Sequence, residues 1–246
     1  MTKQYGLIGL PLVHSFSKKY FTQKFENESI DSLYDLYEMQ NVKELVTLKE
    51  NPNLCGLNVT IPYKQQVIDL MDELDETAAE IGAVNVIKFI RTDGKLTLKG
   101  YNSDAIGFQN SIKPYIKSCH RNALILGTGG ASKAIDYTLR KLGLLTTFVS
   151  RTPKVGQLTY KELDEALLQE YLVIVNASPV GTFPHDDECP DIPYQFITPA
   201  HLLFDVVYNP AMTMFMKMGQ EQGAQVLNGE GMLIGQAEAA WAIWNE

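Results

Sequence analysis

The stretch LILGTGGASKAI, Leu124 to Ile135, constrains this chain more than any other part of it. An apolar run of strand character enters a glycine turn and leaves as a helix. Strands joined through helices lie parallel, so an α/β layer structure is expected around it. Within the turn, Gly127 admits the sharp change of direction and Gly129 lets the backbone approach a ligand. Ser132 stands where a GxGxxG pattern has its third glycine and is small enough for helix to pack on strand. The unpaired N–H groups that open a helix attract a pyrophosphate. A plain strand-to-helix turn has the same outline, but the strand before and the helix after are the context that makes the pattern informative. A dinucleotide site is expected here.

The next strand selects the dinucleotide. An NAD site asks for an Asp or Glu about 20 residues on, bonded to the ribose 2′-hydroxyl. Here LLTTFVS runs into Ser150, Arg151 and Thr152, with Lys154 close behind and no carboxylate at the tip. An acid would repel a 2′-phosphate, whereas a guanidinium grips one in a bidentate fashion. NADP is therefore the expected cofactor, against the plainer reading of Arg151 as a solvated loop arginine.

The rest of the chain alternates in the same manner. QYGLIGL, YDLYEM and NLCGLNVTI read as strands, with helices from about Ser17 through KKYFTQKFEN, in VKELVTLKE and in KQQVIDLMDEL. VNVIKFI and KLTLKG flank Thr92-Asp93-Gly94, a turn signature that makes them an antiparallel hairpin. A helix near Ala105–Cys119 leads into a second series: RNALILG, LLTTFVS, YLVIVNAS and HLLFDVV as strands, ASKAIDYTLRKLG, YKELDEALLQEY and MFMKMGQEQG as helices. A last helix, GEGMLIGQAEAAWAIWNE, follows. VGTFPHDDECPDIPYQFITP is a long loop rich in Pro and Asp.

At 246 residues there is room for one large domain or two ordinary ones. A net charge of −8 argues against nucleic-acid or membrane-surface partners, which need a basic face. The three cysteines (Cys55, Cys119, Cys189) are scattered, as reduced cytosolic thiols are, and the four histidines lack metal-ligand spacing, so no metal is expected. Residues 1–12 show no pattern of a secretory leader, and no apolar run reaches membrane-spanning length.

Four further segments stand out. Ser15 and Ser17 straddle a helix start in HSFS; Ser17 reads first as an N-cap, and His14 as a packed histidine, yet two hydroxyls there can also hold a small anion. NVTIPYK is a strand cut short by Pro62, with Lys64 just past its end. Asn85 in GAVN reads as a turn residue and Asp104 in YNSDAIGF as a helix cap.

Taken together and in order, HSFS, NVTIPYK, GAVN, YNSDAIGF, GTGGAS, SRT, NASPVG, DVVYNP and GMLIGQA resemble the shikimate dehydrogenase family over nearly the whole chain. The resemblance implies two α/β domains: a substrate domain over 1–104 and a Rossmann-like NADP domain over 105–229. The C-terminal helix, 230–246, would fold back onto the first, and the active site would lie in the cleft. It implies Ser15 and Ser17 on the shikimate carboxylate, and Thr60, Asn85 and Asp104 on the ring hydroxyls. Tyr208 and Gln236 would close the pocket, and Lys64 would be the acid–base residue, paired with Asp104. The cofactor would rest on Gly127, Gly129, Gly130 and Ala131, with Ser150, Arg151 and Thr152 at the 2′-phosphate. Val206 and Gly229 would stand near the nicotinamide, and Glu76 would also touch the cofactor. A cytoplasmic monomer or homodimer acting on a small molecule is implied. Relatives often carry proline at Lys18, threonine at Ser103 and Ser178, and asparagine at Ser150, whose loss removes an amide beside the phosphate.

The chemistry agrees with this set. A ketone receiving a hydride develops negative charge on oxygen and needs a proton there, and an ammonium such as Lys64 supplies both stabilisation and proton. Without the family pattern Lys64 would read as a surface lysine. Rival readings are a quinate/shikimate dehydrogenase using NAD, a methylenetetrahydrofolate dehydrogenase, whose pocket the HSFS and Asp104 segments do not suit, a non-catalytic sensor, and a generic dinucleotide-binding protein.

Overall fold

In a computed structural model of the chain, residues 2–12 and 15–246 are described; His14 lies outside them. The chain divides into two compact units, one running up to Ser103 and taking in Ala237–Glu246, the other spanning Asp104–Gln236.

The first unit is built on β1 (Lys3–Gly9), α1 (Phe16–Asn27), β2 (Ser32–Glu38), α2 (Leu45–Leu48), β3 (Leu54–Val59), β4 (Glu73–Leu74), α3 (Glu76–Ile81), β5 (Val86–Thr92) and β6 (Lys95–Tyr101). Among the described residues its sheet has six strands in the order β2-β1-β3-β5-β6-β4. β1 pairs parallel with β2 and β3, while β5 runs antiparallel to β3 and to β6, as the Thr92-Asp93-Gly94 turn demands. β1 is buried on both faces because apolar side chains alternate without a polar side. Ile8 joins Leu57, Val59 and Ile87 in one cluster; Tyr5 and Leu7 join Phe21, Phe25 and Tyr34 in the other.

The segment KQQVIDLMDEL is not the helix its composition suggests. A short 3-10 turn over Gln66–Leu70 gives way to β4, which pairs parallel with β6. Asp72 closes this pairing twice, its N–H donating to Leu98 O at 2.9 Å and its Oδ2 accepting from Leu98 N at 2.7 Å. Backbone bonds to a distant strand outweigh the helix propensity of the segment.

The second unit opens with α4 (Ser103–Ile112), which the sequence extends to Cys119 but which Pro114 turns into a 3-10 stretch over Lys113–Tyr115. Then come β7 (Asn122–Leu126), α5 (Ser132–Lys141), β8 (Leu145–Val149), α6 (Glu165–Glu170), β9 (Val173–Asn176), β10 (Leu202–Asp205), α7 (Met214–Glu221), β11 (Gln225–Leu227) and α8 (Glu230–Asn245). Among the described residues five strands form an all-parallel sheet in the order β11-β10-β9-β7-β8. Two apolar clusters pack in this unit, one around Leu124, Ile174 and Phe215, the other around Ile125, Ile135 and Phe204. This is the Rossmann-like arrangement that the glycine turn requires. YKELDEALLQEY is broken at Asp164, whose side chain accepts from Leu167 N at 2.9 Å and starts α6 afresh. The short strand β11 carries no sequence signal of its own.

α8 belongs to both units. Its first turns pack within the second unit, where Gly235 approaches Gly107 of α4. From Ala237 onward it belongs to the first, so the hand-over falls later along the helix than 230. There Trp244 packs beside Tyr5 and donates its indole N–H to Ile87 O at 3.1 Å.

Candidate active site

In the first unit, NVTIPYK and GAVN meet at the carboxyl ends of β1 and β3. Val59 N donates to Asn85 O at 2.8 Å, and Thr60 N donates to Ile8 O at 2.9 Å. Two residues past the strand end, the peptide Ile61–Pro62 is cis, and the carbonyl of Lys64 accepts from Val84 N at 2.7 Å. The backbone that carries Thr60 and Lys64 is thereby tied to the backbone that carries Asn85. Lys64 is half-buried and Asn85 is buried.

Asn85 is clamped from its far side. Its Nδ2 donates to Ser103 Oγ at 3.0 Å, and its Oδ1 accepts from Ser103 N at 2.7 Å. A serine here keeps the hydroxyl that a threonine would offer. Asp104 is the next residue along the chain, at the start of α4; it is buried, and α4 already begins at Ser103, so its role is not simply that of a cap before Ala105.

At the start of α1 it is Ser15, not Ser17, that caps the helix, its Oγ accepting from Lys18 N at 3.2 Å. A proline at that position has no such N–H, so Lys18 changes the cap. Its ammonium also binds Tyr34 O and, at 3.0 Å, Asp35 Oδ1. Ser17 hydrogen-bonds the Tyr34 hydroxyl, which is fully buried; burial pushes the ionisation of that phenol up. Tyr34 in turn donates to Asn58 Oδ1 at 2.7 Å, and Asn58 Nδ2 reaches Asn85 O at 3.4 Å. Tyr34 and Asn58 thus join Ser17 to Asn85, a link that sequence reading missed; a polar residue at an inward position of each strand was the available signal. Glu76 opens α3 in this unit, directly after the cap Asp75.

In the second unit, Gly127 has φ +105°, a left-handed conformation that side chains avoid. A Cβ there would also meet Ser178 N and Cβ at 3.2 Å. The space over Gly129 is open, the nearest atom to an added Cβ being Ala177 O at 3.8 Å. α5 begins at Ser132 with no side chain capping it, so its first N–H groups face the turn formed by Gly127 to Ala131. Ser132 is buried and donates to Gly129 O at 2.7 Å, holding the turn against the helix. At the tip of β8, Ser150 Oγ accepts from Thr152 N at 3.2 Å, and Arg151, Thr152 and Lys154 are exposed.

Across the sheet, Val206 follows β10 directly. A Cβ on Gly229 would stand 2.1 Å from Val206 O, so only glycine lets the two segments touch. Gln236 sits on α8 where that helix meets α4: a Cβ on Gly107 would lie 2.7 Å from Gln236 N. Asp104 is three residues before Gly107 on the same helix, α4. Tyr208 is partly exposed.

Beneath these segments is a second network that sequence reading did not assign. Asp205 is fully buried; its Oδ1 accepts from Asn176 Nδ2 at 2.9 Å and Val207 N at 3.0 Å, and its Oδ2 from Thr213 Oγ1 at 2.7 Å. Burial raises its pKa to about 6 against these three donors, which lower it.

Comparison with known proteins places this geometry in a family. Residues 7–87 match the model described as shikimate dehydrogenase substrate binding domain. A shikimate dehydrogenase (NADP(+)) of Methanosphaera stadtmanae is 35% identical over 97% of this chain and 90% of its own length. The crystal structure of shikimate dehydrogenase from Aquifex aeolicus superposes with a TM-score of 0.84 at 33% identity, covering 99% of this chain and 92% of that one. The quinate dehydrogenase of Corynebacterium glutamicum in complex with NAD gives a TM-score of 0.88 at 25% identity, covering 99% and 93%. With the Methanosphaera and Aquifex relatives at more than 30% identity over almost the full chain, the chain belongs to the shikimate dehydrogenase family.

Proposed function

We propose that this chain catalyses the reversible, NADPH-dependent reduction of 3-dehydroshikimate to shikimate. The observation that carries the reading is the near full-length relationship to an enzyme named for NADP(+) and shikimate. The residues suit the cofactor: the glycine turn leaves open backbone where a pyrophosphate would sit, α5 starts uncapped, and Arg151 stands at the β8 tip without a neighbouring acid. Gly127, Gly129, Gly130 and Ala131 hold the pyrophosphate, and Ser150, Arg151 and Thr152 take the 2′-phosphate. Val206 and Gly229 flank the nicotinamide, and Glu76 adds a further cofactor contact. When bound, the cofactor supplies a hydride to the substrate carbonyl carbon.

The chain's own groups do the rest. Lys64 hydrogen-bonds the carbonyl oxygen, stabilises the charge that develops there and delivers the proton. Ser15 and Ser17 donate to the substrate carboxylate. Thr60, Asn85 and Asp104 bond its ring hydroxyls, and Tyr208 and Gln236 complete the pocket. Such a set rejects analogues that lack those hydroxyls, because its own polar groups would be left without partners. In this reading residues 1–104 and the end of α8 form the substrate domain, 105–229 the NADP domain, and the enzyme works in the cytoplasm as a monomer or homodimer.

The test is to add shikimate and NADP+ to the purified chain and follow the absorbance of reduced nicotinamide; no signal at any substrate concentration refutes the reading. A second reading, quinate oxidation with NAD, is favoured by the likeness to the quinate dehydrogenase and by the missing asparagine at Ser150. Initial rates for the two acids with each nicotinamide separate the two. The first reading requires shikimate with NADP+ to be fastest.

A further inference from the structure

Asp205 is a buried titratable group to which the proposed chemistry assigns no part. It sits at the carboxyl end of β10 and is bonded to two walls of the cofactor region at once. Through Asn176 it reaches the glycine turn. Asn176 Oδ1 accepts from Ser178 N at 3.1 Å and Ser178 Oγ at 2.6 Å, and its Nδ2 also reaches Val180 O at 3.2 Å. Ser178 is the residue against which Gly127 packs. Through Val207 N it holds the chain beside Val206, the residue against which Gly229 packs. Through Thr213, the cap of α7, it fixes the far end of the same loop, the cap itself taking Met216 N at 3.3 Å.

All three groups bonded to Asp205 are donors, so only the carboxylate takes them all with charge-assisted bonds; with a proton on Oδ2, Oδ1 still accepts from Asn176 and Val207, but as the weaker acceptor of a neutral carboxyl. A proton on Oδ2 would face the Thr213 hydroxyl, and one of the two would have to turn away. We propose that Asp205 is a positioning residue that, in its charged form, locks the Ser178 and Val206 segments on either side of the dinucleotide, so that protonating this one buried group loosens the cofactor site. The proposal rests on the NADP reading above. The ionisation of Asp205 falls near pH 6, because burial disfavours its charge, which puts the change within reach of mild acid. Tyr194 is the titratable group facing it, donating to Pro190 O at 2.9 Å, with Cys189 and Asp191 next to Tyr194 in turn.

The experiment is a direct titration of the full chain with NADP+, by calorimetry or by quenching of intrinsic fluorescence, from about pH 5 to about pH 8. The 2′-phosphate of the ligand titrates in the same range, but it does so equally for every variant. Asp205→Asn copies the protonated shape. At neutral pH it is expected to weaken binding about fivefold, the worth of one hydrogen bond, and to retain only the pH dependence of the phosphate. The wild type is expected to converge on the curve of that variant as the pH falls below about 6, the two meeting in acid. Parallel curves, or equal affinity at neutral pH, overturn the proposal. If Asp205→Asn does not fold, Thr213→Val removes one donor without changing shape and should move the wild-type break to higher pH; an unmoved break overturns the proposal. A wild type that binds NADP+ but does not oxidise shikimate defeats the substrate reading and leaves this one to be decided by the curves. A wild type that binds no NADP+ defeats both.

Discussion

Lys64 carries the most specific expectation at the scale of single residues. A group that both stabilises a developing oxyanion and delivers its proton acts in the transition state more than in the ground state. Lys64→Ala should therefore lower kcat by about 10²- to 10⁴-fold while moving KM for shikimate far less. Steady-state kinetics check this, and a pure KM effect would reduce Lys64 to a binding residue. Asp205 makes a different prediction, about stability. Its native pKa, about 6, lies above the ordinary aspartate value of 3.8, so the native state holds this proton more tightly than the unfolded chain. That contribution is fully present below about pH 4 and is lost as the pH rises through about 6. Asp205→Asn lacks the titration. Between about pH 4 and pH 7 its unfolding free energy should gain on the wild type by on the order of 2–3 kcal/mol, measured by urea denaturation across that range. A gain of that size would mean that the carboxylate costs the fold stability at neutral pH.

Close approach decides more than propensity for the helices. Gly107 sits inside α4, where alanine would ordinarily raise helix stability by about 1 kcal/mol. Here its added Cβ would meet Met232 O at 2.4 Å and Gln236 N at 2.7 Å, both backbone atoms of α8. Gly107→Ala should consequently destabilise the chain by about 1–3 kcal/mol, as overpacking does. It should also raise KM for shikimate, by moving Gln236, and leave KM for NADP+ nearly unchanged. Denaturant unfolding together with the two KM values checks the sign and the selectivity. A stabilised variant would show that the two helices slide apart freely.

For the whole molecule, the net charge of −8 must coexist with the two anionic ligands of the proposed reaction. On the proposed reading, attraction is local, supplied by Arg151, helix starts and serine hydroxyls rather than by a basic surface. Binding of cofactor to the native state alone should stabilise it by mass action. NADP+ at about 100 times its Kd should add about 2.7 kcal/mol to the unfolding free energy, seen as a rise in Tm. If Arg151 takes the 2′-phosphate as proposed, NAD+ at the same concentration should add less, since it lacks that phosphate. Equal shifts would remove Arg151 from the 2′-phosphate.

Much of the architecture was legible in advance, because strand alternation, the glycine turn and the Thr92-Asp93-Gly94 hairpin are local patterns whose geometry follows from steric limits on neighbouring residues. The tip of β8 was legible for the same reason: the residue after a strand end is set by counting. The short segments from HSFS to GMLIGQA identified the family because chemistry is written in a few residue types at fixed spacing. Tertiary structure alone decided the rest. Residues 65–74 have helical composition but pair with β6, and β11 exists only because β10 lies beside it. Tyr34 and Asn58 are 24 positions apart, and Asn176 and Asp205 are 29 apart. A hydrogen bond between such residues leaves no periodicity in the chain, since it depends on where two strands end in space and on burial that makes a missing partner expensive. What the local patterns determined is which groups the chain carries and on which kind of element. Which of them hold one another in place was settled by packing.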